Sequence, residues 1–399
     1  MKTKLLIVHY SLYNGGAERS LVNFLTLLPP DRYEIDLMLF RREGLFYAQL
    51  PKHVRVIEAP PLLPDLFYNP NSMDARSGGL RGLRARAVRT VGTGTAALLA
   101  HGKNNASKQL RWKYFYRHAI QPLPGAYDVA MAFMHNEPTY FVCDKVSAKR
   151  KLAWVHNDYS RTGLKPELDE PYYARMDGVA TISDGCLRVL QSTFPELQSK
   201  FRCLPNLTSA QTVRTLAQAF APEEFDPSVP ALLSVGRLNA QKAYDLSIAA
   251  AALLKKRGVP FRWYVIGNGE KYDELKAQIA QADVGDRLLL LGARENPYPY
   301  MAHCDVLVQN SRYEGKSVVL DEAKILGRPI LATRYPTVGD QLTDGETGVL
   351  ADVNAEAIAE GIERLLRDEA LRARLSANLS ALELDNTEQI ARYMEWISG

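Results

Sequence analysis

Cysteine is scarce in this chain of 399 residues. The four cysteines lie far apart, and no two of them form a Cys-x-x-Cys pair: Cys143, Cys186, Cys203 and Cys304. This spacing indicates neither a zinc site nor a disulfide framework, because both need cysteines in suitable pairs. We therefore expect four reduced, buried thiols.

The sequence also lacks a long apolar run. The run Leu5–Val8 is interrupted by His9 and Tyr10, so it predicts a buried strand rather than a signal peptide. The stretch Ala96–Ala100 is far shorter than the roughly 18 to 20 residues that span a bilayer. We therefore expect a soluble or peripheral protein in the cytoplasm.

Two nucleotide-binding motifs are missing. Gly267-Asn268-Gly269 is followed by Tyr272 where the dinucleotide fingerprint needs a third glycine, which disfavours an NAD-dependent dehydrogenase. No Asp-x-Asp triplet occurs, so a nucleotide held through Mg²⁺ or Mn²⁺ on carboxylates has no obvious site. The sequence therefore predicts no metal site and no cofactor.

Acidic residues are absent from the segment 75–120, although the chain as a whole has a formal net charge of only +4. The segment contains ten basic residues, so 4 − 10 leaves −6 on the remainder. They are Arg76, Arg81, Arg84, Arg86, Arg89, Lys103, Lys108, Arg111, Lys113 and Arg117. No nucleic-acid-binding motif accompanies the charge, so we expect no nucleic-acid partner.

Aromatic side chains lie among the later charges of this basic segment: Trp112, Tyr114, Phe115 and Tyr116. Aromatic and basic residues together suit an anionic membrane surface or a charged acceptor. A solvated helical face is an equally good interpretation, since many charge runs bind nothing specific.

Two series of β-type runs alternate with helical stretches, which is typical of parallel sheets covered by helices. The first opens with a strand at Lys4–His9 and the second with a strand at Ala231–Val235. The predicted fold is α/β, with two doubly wound domains at residues 1–205 and 206–380. The final segment, 381–399, is predicted to form a helix that packs on the first domain. Since ligands of such sheets bind at the carboxyl ends of strands, we expect an active site between the domains.

The most informative stretch is Asn310–Ala323. It follows the strand Val306–Gln309 and enters a helix, with Glu314 in the loop and Glu322 in the helix. A loop of this kind presents backbone N–H groups and the positive end of a helix to a phosphate. Arg237 and Lys242 follow the strand Ala231–Val235 on the same predicted edge, where two cations could contact a diphosphate.

These motifs resemble those of retaining glycosyltransferases of family 4 (group 1), which have the two-domain GT-B architecture. The family's Glu-x7-Glu motif matches Glu314 and Glu322, its Arg/Lys pair matches Arg237 and Lys242, and its Gly-Gly-Ala-Glu loop matches Gly15–Glu18. Weaker matches occur at Trp154–His156, Ser183, Leu204–Asn206, Val265–Gly269 and Asp344–Gly348.

One departure from the family pattern is the sequence after Glu314. Many members have Glu-Gly-Phe-Gly, whereas this chain has Glu314-Gly315-Lys316-Ser317. This version resembles a subgroup that acts in capsule and exopolysaccharide pathways. Lys316 either adds a cation near the phosphates or points to solvent.

The resemblance implies a role for each site residue. Arg237, Lys242 and the N–H groups near Ser317 and Val318 would stabilise a departing nucleoside diphosphate. Glu322 would bind the ribose, Glu314 would position the donor sugar, and His156 would touch that sugar. The remaining donor-site residues implied are Gly15, Gly16, Gly267, Gly315 and Lys316.

The implied function is transfer of a sugar, with retention, from a nucleotide sugar to a lipid-linked or growing oligosaccharide in cell-surface polysaccharide synthesis. A UDP-sugar is the favoured donor, residues 1–205 would bind the acceptor, and residues 206–380 would bind the donor. The enzyme is expected to be metal-independent. Peripheral binding to the inner face of the plasma membrane through the segment 75–120 is a further hypothesis.

Other interpretations stay open. An epimerase, hydrolase or phosphorylase could share this fold, although no setting for a phosphorylase cofactor lysine is identifiable. An inactive GT-B partner that binds glycan or membrane is the non-enzymatic alternative, and the presence of both cations and both glutamates argues against it. Taken singly, basic loop residues are usually solvated, a histidine at a strand end is more often structural, and Gly15-Gly16 could be an ordinary turn.

Overall fold

The structure is a computed structural model that describes residues 2–13, 15–67, 79–100, 104–382, 384–385 and 387–399. Arg76 and Lys103 of the basic segment lie outside the described residues. The chain divides into two compact units. The first comprises Met1–Tyr13, Ala17–Pro205 and Gln389–Gly399, and the second comprises Asn206–Glu388 together with residues 14–16.

The first unit is built on a parallel sheet with the strand order β3-β2-β1-β4-β5-β6-β7. Both faces of a parallel sheet must be covered, and the strand centres are accordingly apolar and buried. The strands are β1 (Thr3–His9), β2 (Tyr33–Leu39), β3 (Val54–Ile57), β4 (Ala126–Ala132), β5 (Ser147–Val155), β6 (Gly178–Thr181) and β7 (Phe201–Cys203).

Helices cover this sheet, and the last helix of the chain is one of them. Trp396 of that helix packs edge-on against Trp154 at 5.5 Å between ring centroids, and its carbonyl accepts from Arg150. The α-helices of the first unit are α1 (Gly16–Leu27), α2 (Leu63–Leu66), α3 (Gly79–Leu99), α4 (Asn104–Arg111), α5 (Arg117–Ala119), α6 (Glu137–Lys145), α7 (Pro166–Ala174) and α8 (Asp184–Thr193), together with the last helix of the chain, α16 (Ile390–Ser398).

The basic segment folds as helices α3 to α5, with a π-helical turn at Trp112–Tyr116. Trp112 and Tyr116 are fully buried in the core of the first unit, and Phe115 packs against that core. The expectation that these aromatic rings face a membrane or an acceptor is therefore wrong for Trp112 and Tyr116. Their apolar area is used to attach the segment to the sheet, which sequence pattern alone does not reveal.

The second unit repeats the arrangement with the strand order β10-β9-β8-β11-β12-β13, again parallel. Its strands are β8 (Ala231–Val235), β9 (Arg262–Ile266), β10 (Leu288–Gly292), β11 (Val306–Gln309), β12 (Ile330–Thr333) and β13 (Val349–Ala351). Its helices are α9 (Ala210–Ala217), α10 (Tyr244–Lys256), α11 (Tyr272–Gln281), α12 (Tyr298–His303), α13 (Val318–Ile325), α14 (Ala355–Arg367) and α15 (Glu369–Ser380).

The two sheets share one topological feature that positions ligands. In each, the chain moves outward over its first three strands and then returns to the other side of the first strand, so β1 neighbours β4 and β8 neighbours β11. The connections that leave the two neighbouring strands, β1 and β4 or β8 and β11, run in opposite directions along the sheet. They leave a crevice between them at the carboxyl ends of these strands. The residues that follow β1, β4, β8 and β11 are therefore the first candidates for function.

Candidate functional site

The second unit brings four predicted site residues to its crevice between β8 and β11. Arg237 and Lys242 lie in the loop after β8, and Glu314 lies in the loop after β11. Lys242 Nζ is 2.7 Å from Glu314 Oε1, and Arg237 is exposed to solvent. Glu322 lies on α13, the helix that the second loop enters.

Glu314 is a buried carboxylate held by several donors, with 7% of its surface exposed. Its Oε1 accepts from Lys242 and from Ser311 Oγ at 2.6 Å, and its Oε2 accepts from Gln241 Nε2 at 3.1 Å. Its carbonyl accepts from Thr337 Oγ1 at 2.8 Å. These hydrogen bonds fix the position of the Glu314 carboxyl group at the crevice.

Hydrogen bonds from the side chain of Asn310 to backbone carbonyls join the two loops that carry Lys242 and Glu314. Asn310 Nδ2 donates to the carbonyls of Lys242 at 3.0 Å and Ala243 at 2.6 Å. Ala243 has φ +53°, a left-handed conformation that costs about 1 kcal/mol for a residue with a Cβ. The Asn310 side chain satisfies the carbonyls at this bend, so it holds the loop in the shape that directs Lys242 toward Glu314.

The loop after β9 packs closely against the loop after β8, and a glycine at the contact makes this possible. Gly267 follows β9, and a Cβ on it would lie 1.9 Å from the carbonyl oxygen of Gly236. Gly236 N–H donates to Ile266 O at 2.9 Å, and Leu238 N–H donates to Asn268 O at 3.0 Å. Gly267 is thus needed for close packing of the two loops.

Ser317 is the N-cap residue of α13, and its Oγ accepts a hydrogen bond from Leu320 N–H. The Ser317 N–H itself donates to Gln341 Oε1 at 2.7 Å. The N–H groups of Val318 and Val319 have no intrahelical acceptor, because the first turn of a helix leaves its donors unsatisfied. An anion at this end of α13 would therefore use Val318 first and would use Ser317 only if it displaced Gln341.

Two lysines at and near α13 form ion pairs with the same aspartate of that helix. Lys316 Nζ lies 3.5 Å from Asp321 Oδ2, and Lys324 Nζ lies 3.0 Å from Asp321 Oδ1. Lys316 thus points along the helix, a position that the sequence did not reveal. Glu322 is buried and accepts from Tyr298 OH at 2.7 Å. Gly315, between Glu314 and Lys316, is buried.

The first unit places histidines at the corresponding edge of its own sheet. His9 ends β1, His135 follows β4, and His156 follows β5, and these three strands are adjacent. The sequence singled out His156 alone. His9 and His135 were missed, although the rule that functional residues follow the carboxyl ends of neighbouring strands would have found them.

Two of these histidines, His135 and His156, are held in the neutral form. Burial, followed by the nearby Lys108 and His9, lowers the pKa of His135 to about 4. Burial, together with His9 and His135, also lowers the pKa of His156 well below its ordinary value. His9 Nδ1 lies 2.8 Å from the Ser11 carbonyl, which can only accept, so the proton is on Nδ1.

His156 is positioned by aromatic packing. Its ring stacks on Trp154 at 5.6 Å and packs against Phe133 at 4.9 Å between centroids. It is buried, and within the described part of the chain neither ring nitrogen has a hydrogen-bond partner of normal geometry. Since buried polar groups are nearly always hydrogen-bonded, this ring has the character of a binding group.

Backbone strain marks the loop that carries His135. Asn136, the next residue, has φ +70°, which is uncommon for a residue other than glycine. It is followed by Glu137, a buried carboxylate that accepts from Tyr10 OH and from Arg111 Nη2 at 3.3 Å. Strained residues concentrate at functional sites, so this loop is a second feature that sequence reasoning missed.

Gly15 and Gly16 lie between β1 and α1, and Gly16 is the first residue of that helix. Gly16 is exposed and Gly15 is partly exposed. They therefore occupy the loop that leaves the first unit's crevice, where the absence of a side chain allows close approach to a ligand.

Among the described residues, no group of three or more histidine, cysteine or acidic side chains could hold a metal ion. None of the four cysteines forms a disulfide; Cys143, Cys186 and Cys304 are buried, whereas Cys203 is only partly buried. The helices of the described residues include none that is both long and apolar enough to cross a bilayer.

A cavity of about 640 Å³ lies elsewhere in the second unit, beside Arg214, His303 and Arg328. It is bordered by the C-terminal ends of α9, α12 and α13. Because helix C-termini carry partial negative charge, the basic side chains there match the helix dipoles and need no ligand.

Comparison with known proteins finds one family model that matches within the second unit. Residues 217–380 match the family model described as glycosyl transferases group 1. Over 376 residues the chain is 26% identical to N-acetylgalactosamine-N,N'-diacetylbacillosaminyl-diphospho-undecaprenol 4-alpha-N-acetylgalactosaminyltransferase of Campylobacter jejuni, covering 92% of each protein. It is 31% identical over 178 residues to the lipopolysaccharide core biosynthesis glycosyltransferase LpsE of Rhizobium meliloti, covering 44% of this chain and 51% of LpsE.

Solved structures of similar fold include Anabaena HepE in complex with UDP-glucose. The TM-score is 0.67 with 18% identity, and the match covers 99% of this chain and 100% of HepE. The likeness confirms the predicted fold, in which two parallel α/β units form the GT-B architecture.

Proposed function

We propose that this chain transfers a sugar, with retention, from a UDP-sugar to a lipid-linked or growing oligosaccharide in cell-surface polysaccharide synthesis. The match of residues 217–380 to the family model of group 1 glycosyltransferases supports the proposal. The observation that carries the proposal is the ion pair of Lys242 with Glu314 beside the free N–H groups of α13. It combines a cation, a fixed carboxylate and a helix N-terminus at one crevice.

The leaving group is stabilised by the cations and the helix. In the reaction, the bond between the anomeric carbon and the β-phosphate oxygen breaks, and a bond from that carbon to the acceptor oxygen forms. The acceptor proton passes to the departing phosphate. Arg237, Lys242 and the Val318 N–H neutralise the charge that develops on the diphosphate, which is usually the largest electrostatic contribution to such a transfer.

The donor is oriented by carboxylates. Glu322, buried on α13 with Tyr298 as a partner, accepts hydrogen bonds from the ribose hydroxyls. Glu314 binds a hydroxyl of the donor sugar through Oε2, because that oxygen accepts only from Gln241 among the described residues and retains lone-pair capacity. His156 supplies a neutral imidazole to the same sugar, consistent with its depressed pKa.

The reaction proceeds without a metal in this proposal. Two basic side chains and a helix N-terminus supply the positive charge that Mg²⁺ or Mn²⁺ supplies in metal-dependent enzymes. The UDP-glucose bound by HepE supports UDP as the nucleotide. The name of the Campylobacter relative, which contains a diphospho-undecaprenol acceptor, supports a lipid-linked acceptor and a position at the inner membrane face.

The test is a transfer assay with a panel of UDP- and GDP-sugars and lipid-linked oligosaccharides extracted from bacterial membranes. We expect nucleotide release with a UDP-sugar that depends on the acceptor and survives EDTA, and a product whose anomeric configuration, read by NMR coupling, matches the donor. Glu314→Gln should lower the rate at least about a hundredfold. The exposed Glu295→Gln is its matched control. An inverted product would overturn retention, and failure of every donor would overturn the proposal.

A further inference from the structure

Helix α3 (Gly79–Leu99) packs on the first unit with its small residues. The buried positions are Gly82, Ala85, Gly92 and Ala96. A Cβ at Gly92 would lie 3.3 Å from the ring of Phe115, so the helix approaches closely on this side. Val88 also packs against the core, but the other large apolar residues of the helix are exposed.

Four of these exposed residues lie along one line of the helix, with two small exposed residues between them. The line is named here the outer stripe: Leu80, Leu83, Ala87, Val91, Gly94 and Leu98. Leu80 is 86% exposed and Leu98 is 81% exposed. The six positions span 18 residues in five steps, an average of 3.6. They therefore keep to one side of a straight helix for about 27 Å. Single exposed leucines are common, but a line of them marks an interaction surface.

Positive charge borders the outer stripe. On a helix with 100° per residue, Arg84 lies on one side of the stripe and Arg86 on the other. Both are exposed, and within the described part of the chain neither forms an ion pair, whereas Arg81 pairs with Asp65 at 3.0 Å. The helix contains no acidic residue.

We propose that the outer stripe of α3 inserts into the surface of an anionic lipid bilayer while Arg84 and Arg86 contact lipid phosphates. A flat membrane accepts a straight helix, a row of leucines and flanking arginines at once. A second copy of the chain fits less well, because two stripes face to face would bring arginines together and a coiled coil needs a repeat of about 3.5 rather than 3.6.

The consequence for function is access to a lipid-linked acceptor. Access to a lipid-linked acceptor matters only if the proposed function holds, so this consequence rests on that proposal. Lipid binding by α3 itself does not need the transfer reaction. The two can therefore fail separately: vesicle binding tests the outer stripe, and stabilisation by UDP tests the donor site of the second unit.

The experiment is co-sedimentation of the full chain with vesicles of equal parts phosphatidylglycerol and phosphatidylcholine, and with vesicles of phosphatidylcholine alone. We expect binding to the anionic vesicles that weakens at high salt, since screening reduces attraction between exposed charges. Leu80→Gln/Leu83→Gln/Leu98→Gln should reduce the partition coefficient at least about tenfold, and Arg84→Glu/Arg86→Glu should do so as well.

Matched controls come from the other exposed positions. Val353→Gln and Phe220→Gln remove exposed apolar side chains of the second unit, and Arg188→Glu/Arg374→Glu makes the same change of net charge elsewhere. These variants should bind vesicles like the original chain. A cooperative thermal unfolding transition close to that of the original chain verifies that each variant is folded.

Three results would overturn the inference. One is an absence of binding to anionic vesicles by the original chain. Another is binding that the leucine variant retains, because attraction would then be through charge alone. The third is a concentration-dependent dimer that the leucine variant abolishes without any vesicle binding, because the stripe would then cover a second copy.

Discussion

Lys242 Nζ and Glu314 Oε1 are 2.7 Å apart, and the two residues are 72 positions apart in the chain. They meet because β8 and β11 are neighbours at the point where the order of strands reverses. The pair holds a carboxylate and a cation together at the crevice. A diphosphate that binds Lys242 would compete with Glu314 for the same ammonium, leaving the carboxylate free for a sugar hydroxyl.

Replacing Lys242 should affect both stability and binding. Lys242→Ala leaves the buried Glu314 carboxylate with only Ser311 and Gln241 as side-chain donors, so the free energy of unfolding of the second unit should fall by about 2 kcal/mol. Arg237→Ala changes an exposed residue and should alter stability by less than about 1 kcal/mol. Both variants should lose UDP binding in calorimetry. A Lys242→Ala protein with unchanged stability would contradict the role given to the pair.

Glu322 should discriminate ligands that contain ribose. If its carboxylate accepts from the ribose hydroxyls, Glu322→Gln will weaken UDP binding about ten- to a hundredfold, the usual loss for hydrogen bonds to a charged group. Pyrophosphate, which has no ribose, should bind the variant and the original chain equally. The matched control is Glu295→Gln. Equal loss of both ligands would place the effect in the fold rather than in ribose recognition.

Gly267 should not tolerate a side chain. Gly267→Ala places a Cβ 1.9 Å from Gly236 O, so it should destabilise the second unit by at least about 3 kcal/mol or displace the loop that carries Arg237 and Lys242. Gly292→Ala is the control, because Gly292 also has a positive φ of +75° but no atom within 4 Å of the new Cβ. That variant should cost about 1 kcal/mol. Denaturant midpoints compare the two, and similar midpoints would refute the close-packing argument.

The histidines of the first unit make stability depend on pH. The folded pKa of His135 is depressed to about 4, below the ordinary value of 6.5. The unfolded chain therefore binds an extra proton between these values, and stability falls as pH decreases from 6.5 to 4. His135→Gln should show a smaller loss over that window, whereas the exposed His118→Gln should follow the original chain. Parallel pH profiles for His135→Gln and the original chain would contradict a neutral, buried His135.

Local signals in the sequence were sufficient for much of the fold. The strands Ala231–Val235 and Val306–Gln309 have the bounds that the apolar runs predict. Runs of buried apolar residues in a parallel sheet leave few alternatives for where a strand lies. The site motif around Glu314 could be located for the same reason, because it directly follows a strand.

Long-range partners were not predictable in this way. Gln341 and Thr337 contact the site from beyond β12, where they occupy no motif, and the bond of Gln341 to the Ser317 N–H changes which donor an anion would meet. In the basic segment the pattern of large residues was misleading. Small residues of α3 face the core while Trp112 and Tyr116 anchor the segment, and only tertiary packing decides that outcome.

The most direct test of the account is a thermal-shift panel of nucleoside diphosphates against the original chain and Arg237→Ala, with and without EDTA. A ligand that binds only the folded state raises its apparent stability. The account predicts a clear shift with UDP that EDTA leaves unchanged and Arg237→Ala abolishes. No shift with any nucleoside diphosphate at millimolar concentration would contradict it and favour an inactive partner that binds glycan or membrane.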